Sequence, residues 1–459
     1  MNKETRIKKL EEIRKGEPFM IQEIPWKGKL EKMNVYKVPL EYLVYNKYNG
    51  RILSRTKSLE KQNYKIDADT DEGKKIIADL LWDSKVDRNR KTLQDIYDFE
   101  QQKVGIITKD GIIVDGNRRV MLLNKILENP KYSKKYNYFK AVILPVALED
   151  DPLEIEELET KFQMGEDEKL GYNPTEKYLK AKEIYLKITK ESIVDLKNLN
   201  AIAVQKIADW MGESISEVEK YLNTIAVMDD YLDYLGVDGI YTQLDSREDQ
   251  FLSLQKWLNA FYGTESRRGF DGYEDLDVDD LKHIAFDYIR IRNYYDGKDF
   301  RYIAEGNREN HFFGDEKIWK TFTKRHFNII DRMPEEPEID FDSNDLKSHL
   351  DARDKEFFNN SKFDNEDSAF IENLKERITD IGYAKAKDQP RKLINRASQA
   401  LDAINVKHSA FNESETQYLV QDLADKVIKT MSGSTPLRVL QQTLKMLESI
   451  DVEKVSDSE

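Results

Sequence analysis

The sequence predicts an α+β domain over residues 1–150 followed by a mostly α-helical body. Three observations predict it. β-rich runs are confined to the first 150 residues, where they alternate with helical patterns. From Asp151 onward, apolar residues recur almost throughout at helical spacing. The charge balance changes sign at the same place. Residues 1–150 hold 31 Lys and Arg against 23 Asp and Glu, a balance of +8, while the remainder holds 42 against 64, a balance of −22.

Met1 to Arg14 reads as a charged helix and lacks the apolar centre of a signal peptide. Asn34 to Val38, with Val35, Tyr36 and Val38, reads as a short strand before Pro39. Glu72 to Trp82 places Ile76, Ile77, Leu80 and Leu81 at helical spacing, and Leu93, Ile96 and Tyr97 form a second helical face. Val104–Thr108 and Gly111–Val114 are β-rich runs around Lys109-Asp110-Gly111, and Asp-Gly between apolar runs signals a hairpin. The second run leads into Asp115-Gly116-Asn117-Arg118-Arg119, and a helix follows through Val120, Leu122, Leu123, Ile126 and Leu127. Phe139 to Leu144 is another strand, ended by Pro145.

The helical body divides into 151–245, an aromatic-rich 246–332, an acidic linker 333–345 and a C-terminal helical region 346–459. Leu153 to Phe162 is its first helix, and Pro174 sits well for the first turn of the next. Asn200–Trp210, the turn Met211-Gly212-Glu213-Ser214 and Ile215–Met228 resemble a helix-turn-helix, with Ser214 and Glu217 spaced as a capping box. Leu437, Leu440, Leu444 and Leu447 behind Pro436 form a stripe suited to packing or self-association.

Composition removes several function classes. The 459-residue chain has a net charge of −14, a poor default for wrapping nucleic acid or lying on an anionic membrane. It has no cysteine, which excludes disulfides, thiolate metal sites and cysteine nucleophiles and fits the cytoplasm. Its five histidines all lie past residue 280 and none is paired at i, i+4, so no metal site is expected. No run of ~18 apolar residues exists, so no membrane span is expected.

Ile112 to Arg119 is the most informative segment. A strand ends in Asp-Gly-Asn and a helix opens with two arginines. Helix N-terminal amides with paired guanidinium groups suit phosphate, and Gly116 lets backbone approach a ligand. An ordinary strand-to-helix turn with surface arginines has the same sequence. Asp115 is the candidate catalytic base or Mg²⁺ ligand, or equally a cap for the helix.

The segment resembles the strand-to-helix signature of the ParB/sulfiredoxin fold, Gly-Glu-Arg-Arg in ParB proteins and Asp-Gly-x-x-Arg in other branches, matched here by Asp115, Gly116 and Arg119. Three further stretches resemble ParB boxes in the right order. Asn46-Lys47-Tyr48-Asn49-Gly50-Arg51 matches at Asn46 and Arg51. Thr160-Lys161-Phe162-Gln163-Met164 matches at Gln163, and Tyr172-Asn173-Pro174-Thr175-Glu176 leads into the helix-turn-helix. The resemblance spans roughly residues 34–240.

It implies a nucleoside triphosphate, CTP or ATP, held by Arg51, Gly116, Asn117, Arg118, Arg119, Lys161 and Gln163, with Mg²⁺ as a possible companion. It further implies a nucleotide switch, NTPase or phosphotransferase, or in other branches a DNA-binding partition or transcription protein. A nuclease or effector in defence against mobile elements is a third expectation, by analogy. Sulfiredoxin's reductase chemistry is excluded by the missing cysteine. Lys161 stands where the family has a metal-holding asparagine, and would either replace the metal's charge against phosphate or mark a site that has lost its metal; Glu159 and Glu166 are further acidic candidates. Replacing Arg118 and Arg119 together by alanine is expected to abolish nucleotide binding without unfolding the chain.

DNA recognition by the helix-turn-helix is disfavoured. Residues 191–240 hold three basic and ten acidic residues, and Glu213, Glu217 and Glu219 crowd the start of the second helix, where they would repel phosphate. A structural or protein-partner role is expected instead. Lys131, Lys134, Lys135 and Lys140, and Arg391, Lys392 and Arg396, read as solvated surface. Arg267, Arg268, Arg290 and Arg292 lie among aromatics whose helical spacing points to core.

Overall fold

The computed structural model describes residues 1–459 apart from 131–134, 166–171, 192–197, 264–265, 267, 305–310, 342–344, 364–366 and 433–459, and without the side chains of 385–389, 392, 396 and 428–432. The chain divides into two compact units, Met1–Ile381 and Gly382–Glu459. The first opens with α1 (Lys3–Lys15), capped by Asn2. Strands β1 (Met20–Trp26) and β2 (Lys29–Pro39) follow. Next come helices α2 (Leu53–Lys61), α3 (Asp71–Asp83) and α4 (Val86–Phe99). The hairpin β3 (Gly105–Ile107) and β4 (Ile113–Asp115) leads into α5 (Asn117–Leu127), and β5 (Tyr138–Ile143) completes the sheet.

The five strands lie in the order β1-β2-β5-β3-β4. Every neighbouring pair is antiparallel except β3 with β5, which is parallel. Both faces are covered, so alternate residues feed two cores. Tyr36, Val38, Ile107, Ile113, Ala141 and Ile143 pack with α1, α3 and α5. Val35, Ile106, Val114 and Val142 face the other way, onto Ile155 and Leu158. This explains why strands β3 to β5 read as continuous apolar runs.

Two elements differ from the sequence expectation. The strand at Asn34–Val38 is the end of a longer β2, paired with a strand that periodicity does not show. β1 contains Glu23 and Pro25, and its first four residues are exposed, so no alternation marks it. Its turn is Lys27-Gly28, both at positive φ (51° and 72°), the backbone that a two-residue hairpin demands. Helix α2 also carries no strong signal, since nothing caps it locally.

The helical part continues with α6 (Pro152–Thr160), extended by one π turn, Lys161–Gly165, and α7 (Pro174–Thr189), capped by Asn173. Helices α8 (Ala201–Met211) and α9 (Ile215–Tyr234) are joined through Gly212 at φ 68°. Ser214 Oγ accepts from the Glu217 amide at 3.2 Å. The Glu217 carboxylate does not complete a capping box; it pairs with Lys220. Helices α10 (Glu248–Phe261), α11 (Asp275–Arg290), α12 (Phe300–Ile303), α13 (Glu316–Arg332), α14 (Leu346–Asn360) and the start of α15 (Ala369–Asp402) complete the unit. Of the aromatics of 246–332, Phe251, Trp257, Phe261, Phe286, Tyr288, Trp319 and Phe322 are core.

Residues from Met164 to Ile381 share one apolar cluster, so the three helical stretches fold around a common interior. The acidic segment 333–345 has no helix over 334–340, yet it is not free: Glu336 pairs with Arg290 at 2.7 Å and Arg353 at 2.8 Å. The second unit holds the rest of α15 and α16 (Ser414–Ser432). The leucine stripe 437–447 lies outside the described residues. Among the described residues no helix is long and apolar enough to cross a membrane.

Candidate functional site

The site begins where β4 becomes α5. Gly116 makes the bend at φ 114°, and a Cβ there would lie 2.4 Å from Phe139 Cζ. Only glycine meets both demands. Asn117, buried, then locks the start of α5: its Oδ1 accepts from the Asn46 amide at 2.9 Å, and its Nδ2 donates to the Ile113 carbonyl at 3.0 Å. The sequence signature therefore touches the Asn46–Arg51 segment through Asn117.

The two arginines part company. Successive helical residues point about 100° apart. Arg119 turns back one turn, and its Nη2 donates to Asp115 Oδ2 at 2.6 Å, with side chains only 16% and 13% exposed. Its Nη1 donates to the carbonyls of Lys103 and Val104. Arg119 thus ties α5 to the segment entering β3, and Asp115 is already engaged by a cation. Arg118 instead lines two adjoining clefts.

The first cleft, of about 200 Å³, is lined by Arg51, Arg55, Leu80, Asp83, Ser84, Lys85, Arg118, Tyr172, Asn173 and Glu176. The second, of about 180 Å³, is lined by Asn49, Arg51, Thr92, Lys103, Asp115, Gly116, Asn117, Arg118, Arg119 and Gln163. Arg51 and Arg118 belong to both, so the clefts meet at two guanidinium groups. The Arg51 guanidinium lies 4.7 Å from the centre of the Tyr172 ring. That stacking orients the guanidinium beside the cleft.

Behind the clefts lies a buried polar layer. Tyr172 donates to Gln163 Oε1 at 3.0 Å, and Gln163 Nε2 donates to Glu159 Oε1 at 3.0 Å and the Val114 carbonyl at 3.3 Å. Asn46 Nδ2 donates to Glu159 Oε2 at 3.1 Å, and Asn49 Nδ2 to Oε1 at 3.4 Å. Lys180 Nζ stands 3.6 Å from Glu159 and also pairs with Glu156, which Lys187 contacts from the other side. Burial disfavours ionisation of both carboxyls. For Glu156 the two lysines outweigh burial and bring it down to about 2. For Glu159 burial wins over Lys180, the Glu156 charge adds to it, and the carboxyl is pushed up to about 7.

A similar clasp fixes α2. The buried Glu176 accepts from Ser54 Oγ at 2.6 Å and from the Ser54 amide at 3.0 Å. Glu176 so caps α2 from 122 residues away. Burial pushes its carboxyl up, against the Ser54 hydrogen bonds and Arg55. Arg55 bridges to Asp245 Oδ2 at 2.9 Å. Ser54, Arg55 and Glu176 are functional candidates that sequence reading missed in their roles, because α2 itself was not legible.

Four segments far apart in sequence therefore converge: Asn46–Arg51, Asp115–Arg119, Glu159–Gln163 and Tyr172–Glu176. Arg51, Gly116, Asn117, Arg118, Arg119, Asp115 and Gln163 all line the second cleft. Lys161 does not join them. It lines neither cleft, and its ammonium pairs with Glu157 one turn back. Glu166 lies outside the described residues. Among the described residues no group of three or more His, Asp or Glu is arranged to hold a metal ion. Asp115, the carboxylate at the bend, is paired to Arg119.

The other candidates fall elsewhere. Arg290 is buried, held by Glu336 and by Asp354 at 3.0 Å, and Arg292 donates to the carbonyls of Asp245 and Ser246. Neither is arranged to meet nucleic acid. Lys131, Lys134 and Arg267 lie outside the described residues, as do the side chains of Lys392 and Arg396. In the α8–α9 pair, Glu213 accepts from Lys177 at 2.8 Å and from Tyr221 at 3.0 Å, so it serves the fold. Set against known proteins, the chain matches no family model, no curated protein and no solved structure.

Proposed function

We propose that this chain is a cytoplasmic nucleotide-binding protein that seats a nucleoside triphosphate, CTP or ATP, across the joined clefts. The observation that carries the reading is the meeting of the clefts at Arg51 and Arg118, beside a helix that starts at Gly116. A triphosphate brings about four negative charges and needs several cations. The cleft at Gly116 is lined by Arg51, Lys103, Arg118 and Arg119. A helix start adds backbone amides and the positive end of the helix dipole. The adjoining cleft, with Leu80, Tyr172, Ser84 and Asn173, offers apolar surface and hydrogen-bonding groups for the nucleoside end. The resemblance of the same four segments to the ParB/sulfiredoxin fold points the same way.

In this reading Arg51 and Arg118 hold phosphate, Gly116 allows close approach, and Asn117 and Gln163 fix the walls. Arg119 and Asp115 hold the frame, and Lys161 has no part. The role is that of a switch or a phosphoryl-transfer enzyme, with the helical body available to a protein partner or a second copy. The test is calorimetric titration of the full chain with CTP, ATP, GTP and UTP, with and without Mg²⁺. Binding of one of them by the wild-type chain, lost when Arg51 and Arg118 are both alanine, supports the reading. Heat changes absent for all four overturn it. Steeply salt-dependent binding of duplex DNA would instead favour the DNA-binding alternative.

A further inference from the structure

From Gly382 to Val427 the second unit has no interior: not one described residue there is buried. Its helices nevertheless carry apolar stripes. Within α15, Leu393, Ala397 and Leu401 recur every four residues; on α16, Leu419, Leu423 and Val427 repeat the same spacing. Residues four apart share one face of a helix. Ile394 beside Leu393 and Val420 beside Leu419 widen each stripe. The large residues of both stripes are between 38% and 67% exposed, so neither helix covers the other. Packing of such a face, rather than propensity, supplies most of a helix's stability. A contiguous apolar patch left on a surface marks a place of contact. The two helical segments also differ in sign. Residues 382–402 hold five basic and two acidic side chains, and residues 403–427 hold two basic and four acidic.

We propose that a second copy of this chain covers these stripes, with the 382–402 part of α15 in each copy lying on α16 of the other in a two-fold dimer. The dimer does not depend on what the clefts bind. A two-fold interface sets one patch against itself, so the patch must be self-complementary. This one is: the basic helix meets the acidic helix twice, whereas α15 on α15 would bring like charges together. The width of the stripes selects the number of helices. A seam between two helices needs only a narrow line of apolar residues, and a helix that faces a bundle needs a broader one. The neighbours Leu393 and Ile394, and Leu419 and Val420, give the broader kind. Two helices from each copy make four, the number that closes a bundle around such faces.

Sedimentation velocity of the full chain without nucleotide tests the dimer. At about 50 μM, above the micromolar limit of interfaces of standard size, the wild type is expected to sediment with twice the mass of one chain. Leu393→Asp with Leu423→Asp sets four carboxylates into the apolar centre of the dimer and should weaken it at least about a hundredfold. Both side chains are exposed within one chain, so the melting transition of Met1–Ile381 should stay where it is in the wild type. Should that double variant not fold, Leu393→Asp alone, expected to weaken the dimer about tenfold or more, takes its place. A wild-type monomer at this concentration overturns the proposal, because the stripes are then covered by residues 433–459 of the same chain or by another protein. A dimer that survives the aspartate substitutions unchanged is built on another surface and overturns it too.

Discussion

Replacing Gly116 by alanine is the sharpest probe of how the site is built. Two costs add. The backbone sits at φ 114°, in the left-handed half of conformational space, where an L side chain costs about 1–3 kcal/mol. The new Cβ would also lie 2.4 Å from Phe139 Cζ. That ring has no retreat, because it is wholly buried and a Cβ at Gly105 on its other contact would fall 2.1 Å from the same atom. Overpacking of this kind costs about 1–3 kcal/mol. The expected loss is therefore roughly 2–6 kcal/mol, a large share of the roughly 5–15 kcal/mol that a folded protein holds. Urea unfolding followed by circular dichroism measures it. Phe139→Leu in the same chain should relieve the steric part and leave the backbone part, giving a coupling of about 0.5–3 kcal/mol in a double-mutant cycle. A Gly116→Ala chain within about 0.5 kcal/mol of wild type, or strict additivity with Phe139→Leu, would refute the reasoning.

Three further outcomes follow from the same geometry. Arg119→Ala leaves Asp115 without its mostly buried partner and frees two carbonyls, and should lower stability by roughly 2–4 kcal/mol in urea unfolding. The alanine pair at Arg118 and Arg119 is therefore a poor test of binding, and Arg51→Ala with Arg118→Ala replaces it; calorimetry should show nucleotide binding lost while a cooperative melting transition remains. Glu156 is held below its ordinary range by Lys180 and Lys187. Its contribution to stability is then present above the ordinary carboxyl range and lost as pH falls from there toward about 2. Melting temperature against pH should show this acid slope in the wild type and a shallower one in Glu156→Gln.

Much of the architecture was legible because it is local. The Asp110-Gly111 turn, the Asn173-Pro174 start of α7 and the Gly212 turn are set by residues within a few positions of the elements they join. β1 and α2 were not legible. One needs a Lys-Gly turn with no alternation to flag it, and the other is capped by a carboxylate from α7. At the site, the strand-to-helix motif and Arg51 were visible as residue types. The division of labour between Arg118 and Arg119 was not read, although Asp115 and Arg119 stand at i, i+4 and so share a helix-like face. The same spacing, Glu157 to Lys161, takes Lys161 away from the cleft. Glu159 could be named as an acid in the region, and Gln163 stands at i+4 from it, but Asn46, Asn49 and Lys180 reach it from distant segments that no spacing reveals.

The central claim is that Arg51 and Arg118 join two clefts into one site for a nucleoside triphosphate. Calorimetric titration of CTP and ATP into the wild-type chain and into the Arg51→Ala, Arg118→Ala double variant tests it most directly. Saturable one-site binding in the first and none in the second is the result predicted. Binding that survives the double substitution unchanged, or no binding in either chain, contradicts it.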